Sequence, residues 1–165
     1  MKSLILINGP MGVGKTAVCN ELLEQLQPGV YLDGDWCWNM RPFQVTEETK
    51  KMVQDNIVSM LNRFLCCSEL DYVLFAWVMH EEHIVDDILK RIDSGSVKVN
   101  IITLMCSEQT LSRRLEKDVS AGLRHPDVIG RSLNRLACCA RLPYPKVWTD
   151  GLSVKETAKQ ILAFL

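Results

Sequence analysis

A glycine-rich segment at residues 9–16 constrains this chain more than any other feature, and it reads Gly-Pro-Met-Gly-Val-Gly-Lys-Thr. It matches the pattern G-x-x-x-x-G-K-[ST], in which the glycines let the backbone turn tightly and point successive N–H groups at a bound phosphate. An apolar run of strand length at residues 4–7 precedes it, and Val18, Leu22 and Leu26 behind it share one helical face. Because the motif needs a strand, a loop and a helix in this order, residues 9–16 are predicted to bind phosphate.

The individual positions of this loop predict a nucleotide site. Lys15 is expected to reach the β- and γ-phosphates, and the Thr16 hydroxyl is expected to hold Mg²⁺. A helix that begins near Lys15 adds its positive dipole end to the same site. The expected cofactors are therefore ATP and Mg²⁺, and the residues predicted to bind the nucleotide here are Gly9, Pro10, Met11, Gly12, Val13, Gly14, Lys15 and Thr16.

Length, charge and cysteine usage narrow the class of protein. A chain of 165 residues predicts a single domain over 1–165. A net charge of −1 disfavours nucleic acid or an acidic membrane as the main partner, and no apolar run approaches the length of a membrane span. The amino-terminal apolar stretch is expected to be the strand before the loop rather than a cleaved signal. Seven cysteines without a C-x-x-C motif predict free thiols in a reduced, cytoplasmic protein, either monomer or homodimer.

Apolar runs of strand length alternate with helical periodicity along the whole chain. Strands are predicted at residues 4–8, 30–33, 72–77, 99–105 and 146–149. Helices are predicted after the loop and at residues 47–68, 81–93, 108–118, 126–141 and 153–165, the last with a capping box between Ser153 and Glu156. Continuous apolar strands separated by helices predict an α/β fold, in which helices cover both faces of a five-stranded parallel sheet.

Ligands bind such sheets beyond the carboxyl ends of the strands, and the second predicted strand ends in Asp33-Gly34-Asp35. A carboxylate at this position can accept the proton of an attacking hydroxyl or hold Mg²⁺ through water. Asp35 is the favoured catalytic base, although the sequence leaves open which of the two aspartates acts. Trp36 and Arg41 follow directly, and with the two aspartates they are candidates for the wall of a substrate pocket.

Arginines are concentrated between residues 111 and 141, and the stretch at residues 116–125 contains Gly122 and has no strong periodicity. A mobile lid over approximately residues 116–130 fits this composition, because a closing lid can bring arginines to the charge that develops in phosphoryl transfer. Arg114 and Arg131 are the favoured catalytic arginines, with Arg114 also predicted to contact the nucleotide. Surface positions are favoured for Arg113 and Arg141.

Two classes of nucleotide hydrolase are disfavoured. The third predicted strand, at residues 72–77, lacks the terminal acid that mechanical ATPases carry. No Asn-Lys-x-Asp guanine motif occurs, and the single D-x-x-G, at residues 127–130, falls in a helical pattern where a GTPase switch would not be placed.

Together these features resemble the small P-loop kinases of the nucleoside-monophosphate-kinase-like group. Residues 31–35, Tyr-Leu-Asp-Gly-Asp, are similar to the acid-bearing end of the second strand in adenylylsulfate and gluconate kinases. Residues 111–115, Leu-Ser-Arg-Arg-Leu, resemble the arginine-bearing helix that leads into their lid. Residues 148–156 resemble their last strand and final helix, where adenine is usually cradled. Further likenesses are to shikimate kinase and to the phosphotransferases that inactivate chloramphenicol or confer tunicamycin resistance.

This resemblance implies a three-layer α/β/α P-loop NTPase fold with a short arginine-bearing lid, and ATP-dependent phosphoryl transfer to a small-molecule acceptor. Position 118 is Asp, where these kinases often carry a second lid arginine, and the tryptophans at 36 and 38 match no substrate signature. The acceptor and the preference for ATP over GTP therefore stay open. The alternatives are a nucleotide or nucleoside kinase and a module that binds ATP without transferring phosphate.

Overall fold

The computed structural model describes residues 2–93 and 95–165. Its five strands are Ser3–Asn8 (β1), Gly29–Asp33 (β2), Tyr72–Ala76 (β3), Lys98–Met105 (β4) and Lys146–Trp148 (β5). Its α-helices are Lys15–Gln25 (α1), Glu47–Cys66 (α2), Glu82–Arg91 (α3), Glu108–Ser120 (α4), Val128–Arg141 (α5) and Val154–Leu162 (α6). All the strands and helices predicted from the sequence are present, with bounds that differ by a few residues at most.

The strands form one parallel sheet in the order β2-β3-β1-β4-β5. β1 lies in the centre, with Ile5 opposite Leu74 of β3 on one side and Asn100 of β4 on the other. Since parallel strands need long crossovers, the helices pack on the two faces of the sheet. The carboxyl end of β1, which leads into the glycine-rich loop, therefore lies between the carboxyl ends of β3 and β4.

Alternate residues of the strands enter two separate cores. Ile5 and Ile7 pack with residues of α1, α4, α5 and α6, whereas Leu4 and Leu6 pack with residues of α2 and α3. All four of these side chains are fully buried, as expected for a strand covered on both faces. The predicted three-layer α/β/α fold with a five-stranded parallel sheet is confirmed.

Local signals set several element ends. The predicted capping box at α6 is present, with the Ser153 backbone N–H donating to Glu156 at 2.8 Å and the Glu156 N–H donating to Ser153 Oγ at 3.2 Å. The Asp-Gly-Asp turn after β2 is part of a short 3-10 helix, Gly34–Trp38, which the sequence had not predicted. Residues 116–120 continue α4, so the non-helical segment between α4 and α5 is only residues 121–127. Within the described chain, no helix combines the length and apolar character that crossing a membrane requires.

Candidate active site

The glycine-rich loop lies against β4 and α4 without space for side chains at two positions. A Cβ on Gly9 would lie 2.8 Å from the Leu104 carbonyl oxygen, and a Cβ on Gly12 would lie 2.7 Å from Leu115 Cδ2. Both glycines have positive φ, 144° and 85°, and so does Gly14 at 107°. Only glycine combines this backbone conformation with such close packing, so the sequence dictates the path of the loop.

The loop ends at the amino terminus of α1. Gly14 is the residue that precedes the helix, and no side chain caps the exposed N–H groups there. The half-buried Lys15 extends back across the loop, and its Nζ donates to the carbonyl oxygens of Gly9 and Pro10, each at 2.9 Å. Unpaired helix N–H groups, the helix dipole and an ammonium group converge at one place. This combination is suited to binding an anion.

Burial lowers the pKa of the Lys15 ammonium to about 8, although the neighbouring carboxylates of Asp35 and Asp33 favour its charged form. The ammonium therefore keeps its proton at neutral pH but loses it within a mildly alkaline range. A bound phosphate would compensate for the lost hydration and hold the proton more tightly.

Asp33, at the carboxyl end of β2, is held by three hydrogen bonds. Its Oδ2 accepts from the hydroxyl groups of Thr16 at 3.1 Å and Tyr31 at 2.9 Å, and its Oδ1 accepts from the backbone N–H of Asp35 at 3.0 Å. The last bond caps the 3-10 helix that follows. Asp33 is thereby fixed beside the Thr16 hydroxyl, across the end of β3, and these bonds occupy both of its oxygens.

Asp35 has a different environment from Asp33. The residue is exposed as a whole, but its carboxyl end lies in a cavity beside Lys15 and Thr16. This partial burial raises the pKa of the Asp35 carboxyl, as does the charge of Asp33, while Lys15 and the Trp77 indole act in the opposite direction. A carboxylate with a raised pKa that faces a cavity is the better placed of the two to accept a proton.

Two cavities meet at the glycine-rich loop and share Gly12 and Gly14. We call the first, of about 300 Å³, the acceptor-side cavity; its lining is Met11, Gly12, Gly14, Lys15, Thr16, Ala17, Asp33, Asp35, Val78, Asp118 and Arg124. We call the second, of about 230 Å³, the base-side cavity; its lining is Gly12, Val13, Gly14, Val18, Arg114, Thr149, Leu152, Val154 and Thr157. One extended ligand could therefore cross the loop from one cavity into the other.

Arg114 of α4 forms one wall of the base-side cavity. Its Nη1 donates to the Val13 carbonyl oxygen and to Thr149 Oγ1, both at 3.1 Å. Asp150, in the segment after β5, connects to the start of α4 next to Arg114. Its carboxylate accepts from the Ser107 backbone N–H at 2.9 Å and from the Ser107 hydroxyl at 2.7 Å. Arg114 is thus joined to the loop itself, and its predicted contact with a nucleotide stays a prediction.

A second arginine, which the sequence analysis did not select, lies in the acceptor-side cavity. Arg124 Nε is 2.9 Å from Asp118 Oδ2, and each side chain is about one-third exposed. α4 ends in a Schellman motif, in which the N–H of Gly122 bonds to the Val119 carbonyl and the N–H of Leu123 to that of Asp118. Gly122 adopts the left-handed conformation that this motif uses, with φ of 71°. The reversal of the chain carries Arg124 back over the last turn of α4 to Asp118.

Gly9 and Pro10 line neither cavity, and three further predicted site residues also lie outside both. Arg131 pairs with Asp127 at 3.1 Å near the start of α5. Arg41 is exposed in the segment between the 3-10 helix and α2. Trp36 is 57% exposed and makes an edge contact with Tyr31. The predicted roles of all three stay predictions.

Other lining residues could have been found from the carboxyl ends of the strands. Because ligands bind parallel sheets beyond the carboxyl ends of the strands, the segments after β3 and β5 are candidate lining segments. Val78 and Thr149 come from these segments. Leu152 and Val154 fall within residues 148–156, whose resemblance implied an adenine cradle, whereas Thr157 lies one position beyond and carried no separate signal. Asp118 and Arg124 were missed because their pairing depends on the helix end at Gly122, where the sequence predicted an aperiodic stretch.

Comparison with known proteins identifies the first two-thirds of the chain. The model of a family described as "AAA domain" matches residues 5–122, which include the glycine-rich loop, the first four strands and α4. No curated protein sequence gives a significant match to this chain.

Solved structures show the same fold over nearly the whole chain. The tunicamycin resistance protein of Deinococcus radiodurans has a TM-score of 0.70 at 19% identity, over 99% of this chain and 95% of that one. A gluconokinase from Sinorhizobium meliloti 1021 has a TM-score of 0.70 at 16% identity, over 98% and 90%. A shikimate kinase from Acinetobacter baumannii, solved with shikimate, has a TM-score of 0.64 at 17% identity, over 98% and 92%. At these identities the likeness establishes the fold, which is that of P-loop kinases.

Gly12→Ala tests the packing of the loop. The added methyl group would collide with Leu115 and force a positive φ on alanine, so we expect the free energy of unfolding to fall by about 1–3 kcal/mol. The measurement is denaturant unfolding. Gly130→Ala is the matched control, since a Cβ there meets nothing within 4 Å, and it should leave stability unchanged or raise it by about 0.5–1 kcal/mol. Equal stability of the two variants would contradict the close packing of the loop.

Proposed function

The chain belongs to the AAA domain family, and from this premise we propose that it is an ATP-dependent phosphotransferase, a kinase that transfers the γ-phosphoryl group to a small-molecule acceptor. The observation that carries the proposal is the division of the site into two cavities by the glycine-rich loop. One cavity holds Lys15, Thr16 and three aspartates, and the other holds an arginine joined to the loop. This arrangement supports a donor nucleotide on one side and an acceptor on the other.

The nucleotide would occupy the base-side cavity and the loop. Leu152 and Val154 offer apolar surface to a base, and Arg114 and Thr149 lie between this surface and the loop. The backbone N–H groups at the start of α1 and the Lys15 ammonium would bind the phosphates. Lys15 would exchange its bonds to the loop carbonyls for bonds to phosphate oxygens. The negative charge of the phosphates would then stabilise the ammonium charge that burial disfavours.

The residues around Thr16 fit a magnesium ion. Thr16 Oγ1 is a hard oxygen ligand beside the place where the phosphates would bind, and the Asp33 carboxylate, 3.1 Å from it, would hold the ion through water. Mg²⁺ bound there would neutralise charge on the β- and γ-phosphates. Among residues 2–93 and 95–165, no group of three or more His, Cys, Asp or Glu side chains is arranged to hold a metal ion.

Asp35 is our candidate for the general base. Its carboxylate would accept the proton of an acceptor hydroxyl as the oxygen bonds to the γ-phosphorus and the bond to the β,γ-bridging oxygen breaks, releasing ADP. Asp33 is the less favourable base because its oxygens already accept bonds from Thr16, Tyr31 and the backbone of Asp35. This difference in hydrogen bonding supports Asp35 rather than Asp33 as the base.

Arg124 is our candidate for the arginine that stabilises the transferred group. It lines the same cavity as Lys15 and Asp35, and its charge contributes to the pKa of Asp35. Arg131 remains a second candidate if the segment at residues 121–127 moves with the start of α5. An arginine that stabilises phosphoryl transfer must reach the oxygens of the moving group, so position in the cavity favours Arg124.

Two alternatives remain. A nucleotide or nucleoside kinase would use the same residues with a different acceptor, and a sensing module would bind ATP without transfer. A mechanical ATPase is less well supported, since β3 and the residues that follow it, 72–80, contain no Asp or Glu.

The seven free cysteines support a reducing, cytoplasmic setting. We propose that the protein is a monomer or homodimer that binds neither nucleic acid nor membrane.

The deciding experiment incubates the protein with γ-labelled ATP, Mg²⁺ and pooled small-molecule acceptors. Label should move to an acceptor, and Lys15→Ala should abolish nucleotide binding or turnover. Asp35→Asn should reduce turnover by roughly 10²–10⁴-fold with nucleotide affinity largely retained. Label confined to ATP and inorganic phosphate would favour the sensing or hydrolytic alternative. Normal turnover by Asp35→Asn would exclude Asp35 as the base.

The pH profile of kcat/KM follows from two shifted groups. Activity requires ionised Asp35 and protonated Lys15. It should rise with pH through the pKa of Asp35, which is above the ordinary carboxyl range, and fall with pH through the Lys15 pKa of about 8. Steady-state rates on either side of pH 8 check the alkaline limb. A profile that stays flat through pH 8 would show that Lys15 does not titrate there.

The two arginine candidates can be separated by substitution. Arg124→Ala should lower kcat by on the order of 10²–10³-fold, as expected for removal of a donor to developing charge. Arg131→Ala serves as the comparison, because its side chain lies outside the cavities and pairs with Asp127. If Arg131→Ala proves to be the more damaging substitution, residues 121–131 must rearrange during the reaction and the assignment of Arg124 is wrong.

A further inference from the structure

Trp36 is a large aromatic side chain that the site holds in place yet leaves uncovered. It is 57% exposed, and its ring makes an edge contact with Tyr31 at a centroid distance of 5.4 Å. The Tyr31 hydroxyl in turn donates to Asp33 at 2.9 Å. The indole is therefore braced by Tyr31, which also holds the Asp33 carboxylate. An uncovered indole held in place next to the candidate base offers a flat apolar face on which a bound ring can stack.

A second indole lies on the other side of the Asp-Gly-Asp turn. Trp77 packs against Gly34 so closely that a Cβ on Gly34 would lie 2.5 Å from Trp77 Cγ. The Trp77 indole also interacts with Asp35, whose pKa it lowers. Trp36 directly follows Asp35 in the 3-10 helix, and Trp77 packs against Gly34 on the other side of Asp35 in the chain. Indoles next to the candidate base suit an acceptor that presents a hydroxyl group and a flat or ring-shaped body.

The charges of the acceptor-side cavity argue against an anionic acceptor. Three carboxylates line it, those of Asp33, Asp35 and Asp118. Of the two cations there, Arg124 is paired with Asp118 at 2.9 Å, and Lys15 is required by the phosphates of the nucleotide. An acceptor with its own carboxylate or phosphate would bring that charge towards Asp35 and the γ-phosphoryl group.

Resting on the proposed phosphoryl transfer, we propose that the acceptor is an uncharged, ring-bearing alcohol, which directs a hydroxyl group to Asp35 in the cavity and stacks its ring on Trp36 outside it. Nucleosides and sugar glycosides share this chemistry. Trp36 is a specificity-determining residue in this arrangement, since it binds the part of the acceptor that does not react. The nucleotide site on the other side of the loop does not depend on it.

The test compares acceptors and Trp36 variants with γ-labelled ATP and Mg²⁺. The probes are uridine and methyl β-D-glucopyranoside as uncharged rings of two sources, glycerol as an acyclic alcohol, and D-gluconate and shikimate as carboxylates. We expect phosphorylation of at least one uncharged ring compound in preference to glycerol and the carboxylates. Trp36→Ala should raise KM for that compound about tenfold, with little change in kcat. A tenfold change corresponds to the lower part of the free-energy range for one aromatic stacking contact.

Two further variants separate stacking from a general structural effect. Trp36→Phe keeps an aromatic face and should restore most of the affinity for the acceptor. Phe164→Ala removes an aromatic ring of comparable exposure, 48%, that lies beyond the end of α6, and it should behave as the wild type. KM for ATP should stay constant in all three variants.

Three outcomes would overturn the inference. Preference for D-gluconate or shikimate, or an unchanged KM in Trp36→Ala, would refute it while leaving the kinase proposal intact. A change in oligomeric state of Trp36→Ala by size-exclusion chromatography, with KM unaffected, would mean that Trp36 covers a protein interface instead. Failure to label any probe or any compound of a wider acceptor pool, with ATP bound normally, would refute the kinase proposal and this inference together.

Discussion

The glycine-rich loop approaches β4 and α4 so closely that at Gly9 and Gly12 there is no room for a Cβ atom. This close approach sets the direction in which α1 begins and brings its free N–H groups to the carboxyl edge of the sheet. Because β1 is the central strand, the loop lies between the segments that follow β3 and β4. Both cavities are consequences of that position, since the loop forms a wall of each.

The Asp33 carboxylate connects the loop to the second strand. It accepts from Thr16 at the start of α1, from Tyr31 in its own strand and from the backbone of Asp35 in the following 3-10 helix. One side chain thereby sets the distance between the proposed magnesium ligand and the proposed base. Two carboxylates two residues apart can then serve different purposes, because hydrogen bonds hold the first and the cavity exposes the second.

The site costs stability that the two cores must offset. Burial disfavours the charged form of Lys15, so that its pKa falls from 10.5 to about 8. As the unfolded chain then binds more protons than the folded chain between these values, stability rises with pH across that window, and the cost is fully present below it. The ionised form of Asp35 is also disfavoured by folding, because its pKa is raised in the folded state. A bound nucleotide with Mg²⁺ would relieve the first of these costs by pairing the ammonium.

The amino-acid sequence alone determined the order and type of the elements, the parallel sheet and the shape of the glycine-rich loop. These follow from short-range patterns: apolar runs, helical periodicity and glycines at positions that exclude side chains. Only the tertiary structure decided that Asp33 is occupied by hydrogen bonds while Asp35 faces a cavity, and that Arg124 rather than Arg131 lines it. Those distinctions depend on strand order, which brings residues 16 and 33 together across β3, and on the helix end at Gly122, which turns the chain back onto Asp118. Neither kind of contact could be predicted from the sequence. A contact between residues distant in sequence, like one that depends on a single backbone turn, leaves no periodic pattern in the sequence.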